Sequence, residues 1–85
     1  DGYFLNILGL FYFSQKQYDQ AKEMIKRSMH LSKYDLVVQR NAVIVFMNIK
    51  EYHLALEAVQ NYLELDPDNH EYKKLKKKFK QLIRK

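Results

Sequence analysis

The 85-residue chain contains an internal repeat. The segment KQYDQAKEM at 16–24 returns 34 residues later as KEYHLALEA at 50–58. The apolar residues around it also return after 34 residues. A repeat of this length is one supersecondary unit, which cannot bury its apolar face without a neighbouring unit. The repeat therefore predicts a stack of similar units and points to a binding scaffold rather than a catalyst.

Apolar spacing and stop signals divide the chain into five predicted helices. The expected bounds are 3–13, 18–31, 36–48, 52–65 and 70–85. Asp35 is expected to cap the third helix, and Asp68 with Glu71 to start the last one as a capping box. Pro67 should end the fourth helix, because proline cannot continue the hydrogen-bond ladder. The valine-rich segment 37–45 resembles a strand, but we interpret it as helix because the matching segment one repeat earlier has helical spacing.

Connections of three or four residues require successive helices to lie antiparallel. The sequence therefore predicts an all-α fold, an α-α superhelix (solenoid) of antiparallel helix hairpins with a concave and a convex side. We expect one domain over 1–85. It comprises a first unit at about 2–35, a second at about 36–69 and a capping helix at about 70–85.

The last predicted helix carries most of the positive charge of the chain. Residues 73–85 hold eight of the fifteen Lys and Arg residues and no acid, whereas 1–72 hold seven basic and ten acidic residues. A basic amphipathic helix can attract the phosphates of nucleic acid or of anionic lipids. The same helix can instead serve as a solvating cap on the last unit, which is the favoured interpretation. The residues of this basic tail are Lys73, Lys74, Lys76, Lys77, Lys78, Lys80, Arg84 and Lys85.

Composition gives no support for an enzyme. The absence of cysteine excludes disulfides, thiolate metal sites and cysteine nucleophiles. His30, His53 and His70 lack the spacing that places two metal ligands on one helix face, and no glycine-rich loop is present. We therefore expect no catalytic residue, metal or cofactor. The lack of cysteine, of a signal peptide and of a transmembrane segment favours the cytoplasm.

The chain resembles the tetratricopeptide repeat family. In the first unit, four residues stand where the family has Leu, Gly, Tyr and Ala: Leu8, Gly9, Tyr12 and Ala21. In the second unit Ala55 and the closing Pro67 match. Its first helix departs from the signature, with Gln39, Ala42, Val43 and Phe46 at the places of Trp, Leu, Gly and Tyr. The last helix lies outside the signature.

The resemblance implies a protein-interaction module that binds a peptide or helix on a concave surface formed by the first helix of each unit. Most side chains of this surface are apolar, so we expect an apolar or amphipathic ligand, with Asn6, Arg40 and Asn48 fixing its register by hydrogen bonds. Alternatively, the groove is filled by the same protein or by a second copy. The expected groove residues are Tyr3, Asn6, Leu10, Phe13, Val37, Arg40, Ile44, Met47 and Asn48.

The first predicted helix has almost no polar face. A helix that is apolar all round is buried all round, and its hairpin partner covers one side alone. We therefore expect either a preceding unit beyond this sequence or self-association through the N-terminal helix. Two units are also fewer than the roughly three that a stable array usually needs.

Overall fold

The computed structural model describes residues 1–84, which form five α-helices and no strand. The bounds agree with the predicted ones to within one residue, and the all-α prediction is confirmed, including a helix over the valine-rich segment. Lys85, which the sequence places in the last helix and the basic tail, lies outside the described residues. The helices are α1 (Gly2–Ser14), α2 (Tyr18–Leu31), α3 (Leu36–Asn48), α4 (Tyr52–Leu65) and α5 (His70–Arg84).

The three helices α1, α3 and α5 begin at equivalent positions of the repeat, and each is capped by the side chain of the residue before it. Oδ1 of Asp1, Asp35 and Asn69 accepts a first-turn amide hydrogen at 2.8, 2.9 and 3.0 Å, respectively. Such a cap satisfies one of the free amides of the first turn. The expected capping box of Asp68 and Glu71 is wrong, because the acceptor lies one residue later, at Asn69.

The two hairpins turn in the same way. Lys16 and Lys50 lie two residues after the ends of α1 and α3 and have positive φ angles. The amide of the following residue donates to the carbonyl of Tyr12 in the first turn (2.9 Å) and of Phe46 in the second (2.8 Å). This is the Schellman arrangement, in which a left-handed residue lets the chain reverse after a helix.

The helices pack as a stack of hairpins. α1 lies on α2, α3 on α4 and α5 on α4, while α3 also contacts both helices of the first hairpin. The core between them contains Ile25, Met29, Val43, Phe46 and Phe79, all at most 2% exposed. The α1–α2 contact is close at Gly9, where a Cβ atom would lie 2.6 Å from the Ile25 side chain.

Gln39 occupies the place expected for a large aromatic residue, and it is fully buried. Its Nε2 donates to the carbonyls of Met29 (3.0 Å), Ser32 and Lys33 (both 3.2 Å) at the end of α2. Its Oε1 accepts a hydrogen bond from Nδ2 of Asn61 in α4 (3.2 Å). One side chain therefore ties α3 to the helix before it and to the helix after it.

Candidate functional site

The expected groove lies across α1 and α3, which are neighbours in the stack. Tyr3 on α1 and Val37 and Ile44 on α3 are exposed, with Tyr3 at 51% and Ile44 at 43%. Tyr3 and Val37 are one repeat apart and hold the same position in their helices. The structure thus presents apolar side chains at matching positions on two adjacent helices.

Three further groove residues are shared between this surface and the interior. Leu10, Phe13 and Met47 are half-buried and pack against the core. A ligand on α1 and α3 would contact the outer parts of these side chains, while their inner parts hold the helices together. We refer to Tyr3, Leu10, Phe13, Val37, Ile44 and Met47 together as the α1–α3 surface.

The side chain of Asn6 is fully buried, so it is not accessible to a ligand as the sequence led us to expect. Its Nδ2 donates to Oγ of Ser28 (3.3 Å) and to the carbonyl of Val38 (3.5 Å), and its Oδ1 accepts from Nδ2 of Asn41 (2.8 Å). These bonds join α1 to α2 and α3. Asn6 therefore stabilises the stack and leaves no group for a ligand.

The other two polar residues of the expected groove are exposed. Arg40 holds the position in α3 that Asn6 holds in α1, yet one is exposed and the other is buried. Asn48 uses its Nδ2 to bond the carbonyl of Ile44 at 2.7 Å, which closes the last turn of α3. Arg40 is therefore the polar group of this set that is best placed to orient a ligand.

A second apolar surface lies on the outer side of α1 and consists of Phe4, Ile7 and Phe11, which we call the α1 outer face. These side chains follow one side of the helix at i, i+3 and i+7, and Phe4 and Phe11 are 65% and 55% exposed. The sequence indicated that something must cover α1, but it did not indicate which side stays open.

The repeat allows the α1 outer face to be compared with the equivalent face of α5. In α5 the positions that match Phe4 and Phe11 are Tyr72 and Phe79, and both are buried. Tyr72 stacks on Tyr62 of α4 with ring centroids 3.8 Å apart, and Phe79 also packs on α4. The α1 outer face therefore corresponds to the side of α5 that packs on the helix before it. In α1 this side is exposed.

The basic tail is divided between a cleft and the open surface. Four of its lysines line a cleft of about 450 Å³ between α5 and the end of α4, together with Leu63 and Pro67. We call this the lysine cleft, and its lysines are Lys73, Lys76, Lys77 and Lys80. The other described basic residues of the tail, Lys74, Lys78 and Arg84, lie outside the cleft.

A polar cleft of about 360 Å³ lies between the start of α2 and the α3–α4 turn. Lys22 and Glu51 line it and form an ion pair at 2.9 Å. His30 and Glu57, with 2.8 Å between Nε2 and Oε2, make a similar link between α2 and α4. The side chains of both pairs are about half exposed, so we interpret them as weak links between hairpins rather than a reactive site.

Neither a cluster of metal ligands nor a membrane-spanning helix occurs within residues 1–84. No three His, Cys, Asp or Glu side chains of this range come together as ligands for a metal ion. Each of the five helices is too short or too polar to cross a lipid bilayer.

The fold defines an all-α protein built from stacked helix hairpins, and its candidate sites are surfaces rather than a reactive pocket. No family model matches the chain, and no curated protein matches it in sequence.

Proposed function

We propose that this chain is a tetratricopeptide-type interaction module that binds an apolar or amphipathic peptide or helix on the α1–α3 surface. The observation that carries the proposal is the exposure of apolar side chains at matching positions of two neighbouring helices. A contiguous exposed apolar patch usually marks an interaction site. Arg40, which lies between Val37 and Ile44 along α3, would select the orientation or an acidic group of the ligand.

The proposed mechanism is docking without chemistry. α1 and α3 are held in place by buried groups such as Gln39 and Asn6, so the surface is largely formed before a ligand arrives. A preformed surface loses less conformational entropy on binding than a mobile loop does. We accordingly assign no catalytic residue and no cofactor to the chain.

A peptide library selected on the immobilised domain tests this proposal. Bound peptides should shift the NMR signals of Tyr3, Val37 and Ile44, and the substitution Ile44→Glu should weaken binding at least tenfold. Leu31→Glu is the matched control, because Leu31 is an exposed apolar residue on α2, outside the α1–α3 surface. Peptides that bind Ile44→Glu as well as the unaltered domain would refute the proposed site.

A second candidate function is assembly through the α1 outer face. It is favoured by the exposure of Phe4, Ile7 and Phe11, whose counterparts in α5 lie against α4. Within residues 1–84, the opposite end of the stack carries lysines and offers no apolar face that matches these rings. Two copies would therefore join face to face in a closed dimer rather than head to tail.

Sedimentation velocity separates this candidate from the first. If the α1 outer face joins two copies, the chain should sediment as a dimer at about 100 μM, and Phe4→Glu with Phe11→Glu should yield a monomer. Leu31→Glu should remain dimeric. A monomer for the unaltered chain would rule out this dimer and leave the α1–α3 surface as the proposed site.

A further inference from the structure

We propose that the lysine cleft docks an acidic amphipathic helix from a partner protein, and that this helix lies on α5 as α4 lies on α3. The cleft is distinct from the α1–α3 surface, so this proposal is independent of the function proposed above.

The register of the repeat matches the lysine cleft of α5 to one face of α3. The four cleft lysines hold the positions of Gln39, Ala42, Val43 and Phe46 in α3. All four of those residues are buried, and Gln39 is hydrogen-bonded to Asn61 of α4. This face of α3 is therefore the side that α4 covers. In α5 the same face is open, and it has lysine at every one of these positions.

The positive charge of the cleft lysines favours a negatively charged ligand. A helix that covered the cleft with an apolar face would have to desolvate four ammonium groups, which is unfavourable without partners. Among the described residues, the ion pairs involve Lys22, His30 and Lys33 and none of the cleft lysines. A helix with glutamates facing the cleft would give each lysine a partner.

The spacing of the cleft lysines favours a helical ligand. Positions 73, 76, 77 and 80 follow one side of α5 at i, i+3, i+4 and i+7. Acidic residues with the same spacing share one side of a helix, so two helices of this kind match along their length. Leu63 and Pro67 add an apolar edge that an aliphatic side chain beside the glutamates can contact.

Nucleic acid and membrane fit the cleft less well. Its lining contains no aromatic ring and no arginine, the groups that stack on bases or bind phosphate in a bidentate manner. The apolar side of α5 is turned inward, with Tyr72 and Phe79 buried against α4. It is therefore not available to enter a lipid bilayer.

The test uses a fluorescein-labelled, alanine-based helical peptide with glutamates at i, i+3, i+4 and i+7 and two leucines beside them. We expect binding in the micromolar range at 50 mM salt, weaker binding at 300 mM salt, and at least a tenfold loss with Lys76→Glu/Lys77→Glu. Lys74→Glu/Lys78→Glu changes the charge of α5 equally but outside the cleft, and it should change the affinity less than twofold.

Four further measurements, on one variant, one peptide, one oligonucleotide and one kind of vesicle, complete the test. Lys77→Gln/Lys80→Gln removes charge without reversing it and should weaken binding at least threefold, even if the glutamate variant fails to fold. A peptide with glutamine in place of each glutamate should not bind. Equal loss in the cleft and control variants, or tighter binding to oligothymidylate or to phosphatidylserine vesicles than to the acidic peptide, would overturn the proposal.

Discussion

Lys16 and Lys50 hold the same place in the repeat and have nearly the same left-handed backbone, with φ angles of 60° and 63°. Each lies just after the first helix of a hairpin, and the amide of the next residue bonds back into the last turn of that helix. The helices before these two lysines differ in sequence, yet the turns match in conformation. The repeat is therefore preserved most closely where the chain reverses direction.

Replacing Lys50 with glycine should stabilise the domain. A side chain in the left-handed region costs roughly 1–2 kcal/mol, and glycine avoids this cost while it gains some freedom in the unfolded chain. We expect Lys50→Gly to raise the free energy of unfolding by about 0.5–1 kcal/mol, measured by urea denaturation. Lys26→Gly, on the exposed side of α2, should instead lower it by about 1 kcal/mol, as glycine does inside a helix. A loss of stability in Lys50→Gly would contradict the assignment of strain to this turn.

Replacing Gln39 with leucine should destabilise the domain, although leucine is apolar and similar in size. The substitution leaves the carbonyl of Met29 and the amide of Asn61 without their partners in the interior. An unsatisfied buried polar group costs about 1–3 kcal/mol, so we expect the free energy of unfolding to fall by roughly 2–3 kcal/mol. Chemical denaturation with urea at neutral pH measures this change.

The neighbouring residue provides the control for Gln39. Arg40→Leu changes an exposed side chain on the same helix and should alter stability by less than about 0.5 kcal/mol. An equally small loss of stability in Gln39→Leu and Arg40→Leu would contradict this prediction. It would mean that water reaches the carbonyls at the end of α2 and that the hydrogen bonds of Gln39 contribute little to stability.

The helices of this fold follow from local sequence signals, and for that reason their bounds could be predicted. Apolar spacing, Pro67 and the capping residue Asp35 act within a few residues of the elements they define. Asn69 was missed because Asp68 beside it is an equally good cap by type. The choice between them depends on how the chain leaves α4, which sequence spacing does not specify.

The surfaces were harder to predict because exposure depends on contacts between distant segments. Asn6 and Arg40 hold the same place in the repeat, but Asn6 meets Ser28 and Asn41 and becomes buried. Likewise, the lysines of α5 form one basic tail in the sequence, and only the packing of α5 on α4 divides them between a cleft and open solvent.

The contact between Gly9 and Ile25 predicts that even alanine is too large at position 9. A Cβ atom there would lie 2.6 Å from Cγ1 and Cδ1 of Ile25 and 3.2 Å from its amide nitrogen. Overpacking of this kind typically costs about 1–3 kcal/mol, against a gain of about 1 kcal/mol in helix propensity. We expect Gly9→Ala to lower the free energy of unfolding by about 1 kcal/mol.

A double-mutant cycle tests whether Ile25 is the cause. In a chain that already carries Ile25→Ala, the added methyl group of Gly9→Ala enters the vacated space and should stabilise the domain. The two substitutions should therefore couple by at least about 1 kcal/mol, which urea denaturation of the four variants can measure. Additive effects would mean that another neighbour limits the space at position 9.

The stacked pair of Tyr62 and Tyr72 predicts a loss of stability in alkali. Burial, followed by the negative charges of Tyr62 and Glu71, raises the pKa of Tyr72 from 10.0 to about 12. An unfolded chain releases this proton near pH 10 and the folded chain only near pH 12, so the contribution is complete below pH 10 and is lost as the pH rises through 12. Tyr72→Phe should therefore show a shallower decline of unfolding free energy between pH 10 and 12, measured by urea denaturation at each pH. Tyr34→Phe, on an exposed ring, should keep the slope of the unaltered chain, and an equal slope in all three proteins would contradict the raised pKa.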